Sequence, residues 1–153
     1  MTSINAINNF LSNTNIAVIG VSRNKKKFGY IVFNCLRMRK GRHNVFPVNP
    51  HISEIDGMKC FSGIDNLPEN VKAAIFITQP DVTENITEII CKSEIIRHLW
   101  FQPGSESRNA IETALKSGKN TIHNECILMF ASPSGFPHNM HGFFKKMFGK
   151  YPR

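Results

Sequence analysis

The stretch AVIGVSRNKKKFGY, Ala17 to Tyr30, decides the fold. It opens on an apolar run, breaks at Gly20, passes through Arg23, Lys25, Lys26 and Lys27, and closes on Phe28-Gly29-Tyr30. A short apolar run ending in glycine and followed by helical periodicity reads as strand, tight loop and helix. On that helix Phe28, Ile31, Val32, Cys35 and Leu36 fall on one face, and Arg37, Arg39 and Lys40 lead out to Gly41 as a stop.

Working outward, comparable apolar runs occur at Ile16 to Val21, Val45 to Val48, Ala73 to Thr78, His98 to Phe101 and Thr121 to His123, rich in the Val, Ile and Phe of buried strands. An additional short strand is predicted at Met58 to Phe61. Between the main strands, Asp81 stands three residues before Glu84 as a capping box, with Val82, Ile86, Ile89 and Ile90 keeping a helical period. A further helix is predicted from about Ser107 to Ser117, with Ala110, Ile111, Ala114 and Leu115 inward and Gly118 ending it. A short leading helix is predicted around Ile4, Ile7, Phe10 and Leu11. Strands alternating with single helices predict an α/β, Rossmann-like, doubly wound and mostly parallel sheet in one three-layer domain. The expected core is about residues 14 to 130, with a basic, aromatic tail over 131 to 153.

The 153-residue length fits one domain over 1 to 153. No segment approaches the roughly 18 consecutive apolar residues of a membrane span. The N-terminus lacks the pattern of a secretory signal, so the expected compartment is cytoplasmic and the expected partners do not include a membrane. Cys35, Cys60, Cys91 and Cys126 are scattered without a CxxC pair, which argues against a disulfide framework or structural zinc. His138 and His141 could share a helix face, but no acid or cysteine nearby completes a metal shell. Trp100 reads as core. Phe143, Phe144, Met147 and Phe148 read as one stripe of a docking helix rather than a membrane or nucleic-acid surface.

Charge is segregated along the chain. The net charge is +8; no Asp or Glu precedes Glu54 or follows Glu125, and eight Lys or Arg residues lie between Arg23 and Arg42. The first third therefore favours an anionic partner. In a doubly wound sheet the first strand-to-helix turn offers backbone N-H groups and a helix N-terminus to a phosphate. Gly20 permits the turn, Ser22 offers a hydroxyl, the lysines supply cations, and Gly29 permits close approach of backbone to a ligand. The spacing departs from G-x-G-x-x-G, and the second strand ends in Asn49-Pro50 with no carboxylate to hold a ribose hydroxyl. NAD is thereby disfavoured, which leaves NADP and coenzyme A. A nucleic-acid module using the basic third ranks below both, since no RNA motif is present and nucleic acid is not an expected partner.

GVSRNKKKFGY, PVNP, ITQPD and WFQPGS each fall at the carboxyl end of a predicted strand, followed by NECILM. In this order they closely resemble stand-alone CoA-binding proteins, a family similar to the nucleotide-binding domain of the succinyl-CoA synthetase alpha subunit. The resemblance covers about residues 14 to 130. It implies coenzyme A or acyl-CoA as ligand, with contacts at Gly20, Ser22, Arg23, Lys27, Phe28 and Gly29. Further implied contacts are Asn49 and Pro50, then Thr78, Gln79 and Pro80, then Gln102, Pro103 and Gly104. Cys126 occupies the family's cysteine position near the pantetheine end, with two readings open: a mixed disulfide with CoA, or a buried small hydrophobe. The chain departs from the family pattern at Val21 and Arg23, where Ala and Pro are common, and at Gln79-Pro80, where a Pro pair is common. The resemblance implies binding without catalysis, because the synthetase's phosphorylated histidine lies in a further domain. An NADP-dependent reductase is the enzyme alternative.

Overall fold

The computed structural model describes residues 2 to 131. The tail stripe at Phe143 to Phe148 and the pair His138 and His141 lie outside the described residues. Strands β1 (Ile16–Ile19) and β2 (Val45–Val48) are joined by helix α2 (Phe28–Lys40), and α1 (Ile4–Leu11) precedes them. A small antiparallel hairpin of β3 (Glu54–Ile55) and β4 (Met58–Lys59) follows. Then come β5 (Ala73–Phe76), α3 (Pro80–Cys91), β6 (His98–Phe101), α4 (Arg108–Lys116), β7 (Asn120–Ile122) and α5 (Leu128–Ala131).

The five main strands form one parallel sheet in the order β2-β1-β5-β6-β7. Alternate residues point to opposite faces, so each strand feeds two cores. Ile16, Val18, Ile75, Trp100 and Ile122 pack toward α1, α2 and α5, whereas Ala17, Ile19, Phe76, Leu99 and Phe101 pack toward α3 and α4. Both faces being covered explains why β1 and β5 are apolar and buried at every position. Trp100 is fully buried, edge-on to Phe10, and donates from Nε1 to the Glu125 carbonyl at 2.8 Å.

The helix faces are rotated from the predicted ones. α2 buries Gly29, Val32, Phe33 and Leu36, leaving Phe28, Ile31 and Cys35 half-buried. The cause is Gly29: without a Cβ it sits closest to the sheet and brings its own i+3, i+4 and i+7 neighbours inward. α3 begins at Pro80 with Gln79 as N-cap, so no Asp81 capping box forms. Its buried face is Thr83, Thr87 and Ile90, while Val82 and Ile89 are exposed. The threonines tolerate burial because Thr87 Oγ1 donates to the Thr83 carbonyl and Thr83 Oγ1 bonds Thr78 Oγ1, both at 2.7 Å. On α4, Leu115 likewise points outward while Ala110 and Ala114 are buried.

The predicted strand at Met58 to Phe61 is divided. Met58 and Lys59 pair back on Glu54 and Ile55 around Asp56-Gly57, at φ +48° and +72°, while Phe61 bridges Val48 in parallel. Two successive positive φ values define the primed turn that closes two-residue hairpins.

Two glycines set the spacing at the centre of the sheet's carboxyl edge. Gly20 has φ +97°, and a Cβ there would lie 2.6 Å from the Ile77 carbonyl oxygen. A Cβ on Gly29 would lie 2.4 Å from the carbonyl oxygen of Gly20. The three backbone segments are therefore stacked in direct contact. Gly29→Ala is expected to lower stability by about 1 to 3 kcal/mol through overpacking against rigid backbone. Gly63, extended and with nothing within 4 Å of a Cβ, serves as the control, where alanine should change stability by less than about 0.5 kcal/mol. Urea denaturation of both variants measures this, and equal midpoints would contradict the contact.

Candidate functional site

Counting only the strands of the main sheet, the order is 2-1-3-4-5, and the direction of strand addition reverses between β1 and β5. At such a reversal the connections leave to opposite faces and open a crevice at the strands' carboxyl ends, where doubly wound folds bind ligands. Gly20 and Ser22 leave β1 on one side of this crevice, and Thr78, Gln79 and Pro80 leave β5 on the other.

The first loop holds its own shape. Gly20 N-H donates to Val48, extending the ladder by one residue past β1. Ser22 Oγ then accepts from Asn24 N-H at 3.1 Å, Asn24 Oδ1 from Lys26 N-H at 3.0 Å, and the Asn24 carbonyl from Lys27 N-H at 2.9 Å. Such side-chain turns use the oxygens of Ser22 and Asn24 to hold the loop's own backbone. Arg23, Lys25, Lys26 and Lys27 are exposed and make no ion pair among the described residues. Lys27 is the N-cap of α2 and provides no side-chain hydrogen bond to the helix end. The loop therefore presents four cations over a helix N-terminus whose dipole is itself positive.

Asn49 joins this loop to the end of β2. Its Nδ2 donates to the Val21 carbonyl at 2.8 Å and its Oδ1 accepts from His51 N-H at 2.8 Å. Pro50 is exposed beside it. Across the crevice, Thr78 is committed to Thr83, and Gln79 caps α3 without a side-chain bond.

Gln102, Pro103 and Gly104 follow β6. Gln102 is fully buried; its Oε1 accepts from Ile127 N-H at 3.1 Å, while Nε2 has no partner among the described residues. Cys126 is buried, and burial pushes its thiol pKa up, with the Gln102 amide and the backbone of Leu128 and Met129 acting in the opposite sense. A thiol held in its neutral form is a poor nucleophile. The structure thus brings Gly20 to Gly29 together with Asn49 and Pro50, sets Thr78 to Pro80 across the crevice, and puts Gln102 next to Cys126.

One feature of the rim was not legible beforehand. A cavity of about 560 Å³ opens between the loop after β2 and the β3-β4 hairpin, with His51, Ser53, Lys59, Phe61, Ser62 and Asn66 in its walls. Only Pro50 of its lining was a predicted site residue. The missed signal is Asp56-Gly57, a strong hairpin pair, which folds Lys59 back beside β2. The hairpin is clamped to α2 and the turn after it: Tyr30 OH donates to Asp56 Oδ2 at 2.7 Å, Arg37 Nη2 pairs with the same oxygen at 3.1 Å, and Arg42 Nη2, beyond the helix end, donates to the Asp56 carbonyl. The Tyr30 hydrogen bond and the Arg37 charge hold the Asp56 carboxyl below its ordinary pKa, and the same bond raises that of Tyr30. Among the described residues no His, Cys, Asp and Glu group is arranged to hold a metal, and no helix is long and apolar enough to cross a membrane.

The family model described as the CoA binding domain matches residues 14 to 132. The chain belongs to the CoA-binding domain family. The match runs from the residues before β1 through the end of α5 and so takes in every loop around the crevice. The alpha subunit of ADP-forming acetate-CoA ligase II from Pyrococcus furiosus is 30% identical over 128 residues, covering 77% of this chain and 28% of the subunit. This chain therefore spans less than a third of that relative's length. A conserved hypothetical protein from Pyrococcus furiosus matches in structure with TM-score 0.69 and 32% identity, over 75% of this chain and 97% of its own. A hypothetical protein from Pyrococcus horikoshii OT3 shares the fold with TM-score 0.72 and 24% identity, over 84% of this chain and 89% of its own.

The Asp56 clamp makes a pH-dependent prediction. A carboxylate with a lowered folded pKa stabilises the fold above its unfolded pKa, and that stabilisation is lost as pH falls through the folded value. At pH 7, Asp56→Asn should therefore lower stability by a few tenths to about 1 kcal/mol, as expected for a solvent-screened group. The gap should close as pH drops below the ordinary carboxylate range, about pH 4. Melting curves of both proteins across pH measure it, and a gap that stays constant into acid would assign the effect to something other than the charge.

Proposed function

We propose that the protein binds coenzyme A or an acyl-CoA along the carboxyl rim of its sheet, and holds the ligand without transforming it. The observation that carries this reading is that the CoA-binding family match spans the whole rim, from β1 to α5. The pyrophosphate lies against the loop from Gly20 to Gly29. There Arg23 and Lys25 to Lys27 neutralise it, and the N-terminus of α2 contributes roughly 0.3 to 1 kcal/mol at such an exposed site. Ser22, Phe28 and Asn49 shape this part of the socket, Asn49 by fixing the loop against β2. Thr78, Gln79 and Pro80 bound the opposite side of the crevice.

The pantetheine arm runs toward Gln102, Pro103, Gly104 and Cys126. In support, the Gln102 amide nitrogen is buried with no partner among the described residues, a costly arrangement that a ligand carbonyl would relieve. The buried, neutral thiol of Cys126 favours a packing role over disulfide exchange. The rim hydroxyls of Ser22 and Thr78 are already committed to hydrogen bonds, which suits binding better than nucleophilic chemistry. The absence of a carboxylate after β2 suits a nucleotide that carries a phosphate on its ribose.

Isothermal titration calorimetry with CoA, acetyl-CoA and NADP tests this reading. CoA and acetyl-CoA should bind and NADP should not. Replacing Lys25, Lys26 and Lys27 together with alanine should weaken CoA by about tenfold or more, since each charge-assisted phosphate contact contributes about 1.5 to 3 kcal/mol. Tight NADP binding with no CoA binding would transfer the site to the reductase alternative.

A further inference from the structure

We infer that the flank of α3 formed by Val82, Ile86 and Ile89 is the docking surface for this chain's own C-terminal segment, which seats Phe143, Phe144, Met147 and Phe148 against it. The inference is independent of what the rim binds and starts from a helix that the fold leaves out. Crossovers between parallel strands usually carry an α-helix that covers a sheet face. The β5 to β6 and β6 to β7 crossovers do so with α3 and α4, whereas the β2 to β5 crossover supplies only the β3-β4 hairpin and a single 3-10 turn over Ile64–Asn66.

The gap falls beside α3. Ser107 Oγ at the start of α4 donates to Glu84, and Ser117 Oγ at its end donates to Cys91 Sγ at 3.1 Å, so Glu84 and Cys91 mark the flank of α3 that meets α4. Val82, Ile86 and Ile89, spaced i, i+4 and i+7, lie on the opposite flank and face the β1 and β2 side of the sheet. Val82 is 40% and Ile89 45% exposed, and Ile86 is half-buried. Phe46 of β2 and Ile64 and Leu67 of the crossover belong to the same apolar cluster as Ile86 and are also half-buried. An apolar strip therefore lies open where a further helix would pack.

Charge and chain length select the occupant. Asp65 and Glu69 of the crossover and Asp81 and Glu88 of α3 are exposed and make no ion pair among the described residues. Residues 132 to 153 carry Lys145, Lys146, Lys150 and Arg153 and no acid, and their apolar members at 143, 144, 147 and 148 fit the stripe of a helix that lays one face into a groove. Met38 and Met129 are exposed on α2 and α5 near the chain's exit, but Met38 stands among Arg37, Arg39 and Lys40, which repel a basic segment. The eleven residues SPSGFPHNMHG, 132 to 142, separate Ala131 from the stripe. At about 3.3 to 3.6 Å per residue they span about 36 to 40 Å, more than the roughly 30 Å diameter of a small domain, so the segment can pass from α5 to the opposite helix layer.

The test is photo-crosslinking of the full chain, at high dilution, with Phe144 replaced by p-benzoylphenylalanine, followed by mass analysis of tryptic peptides from the monomeric product. Crosslinks within one chain should fall on the peptides 60 to 72 and 73 to 92. Ile89→Lys and Val82→Lys, each first shown folded by circular dichroism, should lower that yield about fivefold or more, because each replaces an apolar contact with a charge that repels the segment's lysines. Leu115→Lys, on the exposed face of α4, should leave it unchanged. Crosslinks to α2 or α5, crosslinks formed only between two chains, none to either peptide, or a yield indifferent to Ile89→Lys and Val82→Lys would each overturn the inference.

Discussion

Everything at the rim depends on how closely three pieces of backbone approach one another. Ile77, Gly20 and Gly29 stack with no room for a β-carbon between them, so the first loop, the end of β5 and the start of α2 occupy one compact corner. That contact fixes where the N-terminus of α2 points, which face of α2 meets the sheet, and how far apart the two sides of the crevice stand. Backbone cannot be compressed, so this geometry is set more firmly than any side-chain arrangement could set it.

On this scaffold the electrostatics follow from sequence order. The carboxyl edge of a parallel sheet collects the loops that follow strands, and the loop that follows β1 comes from the third of the chain that has no acid. Its serine and asparagine hydrogen-bond within the loop and hold its shape, and its exposed cations make no ion pair among the described residues. A field of one sign over a helix N-terminus attracts phosphate and is screened by salt over about 8 to 10 Å at ordinary ionic strength. Asp56, the acid of the neighbouring hairpin turn, is engaged with Tyr30 and Arg37, where it braces the hairpin.

The five main strands were legible because burial on both faces makes them short, continuous apolar runs between turn residues, a pattern that survives without tertiary information. The helices were legible in place but not in orientation. Apolar periodicity pointed Val82, Ile89 and Leu115 inward along with Ala110 and Ala114; the structure buries the two alanines as expected but exposes Val82, Ile89 and Leu115 and buries Thr83 and Thr87, because small or self-satisfied side chains permit the close packing the sheet demands. Gly29 was read as an opening for ligand, and its tightest neighbour is the carbonyl of Gly20, a contact between residues nine apart that spacing alone does not reveal. The cavity beside Lys59 was missed because it needs the Asp56-Gly57 turn to bring residues 59 to 62 back alongside β2. Gln102 was singled out by resemblance, but that its buried amide nitrogen lacks a partner among the described residues is a property of packing alone.

The central claim is that the nucleotide lies on the carboxyl rim, spanning the first loop and the end of β2. Amide chemical-shift mapping by NMR during a CoA titration tests it most directly. The account predicts shifts concentrated at residues 20 to 29, 49 to 53, 59 to 62 and 77 to 80, with the amino-terminal edge of the sheet around residues 14 to 16, 70 to 73 and 96 to 98 unmoved. Shifts confined to that opposite edge, or a folded spectrum that does not change at saturating CoA, would contradict it.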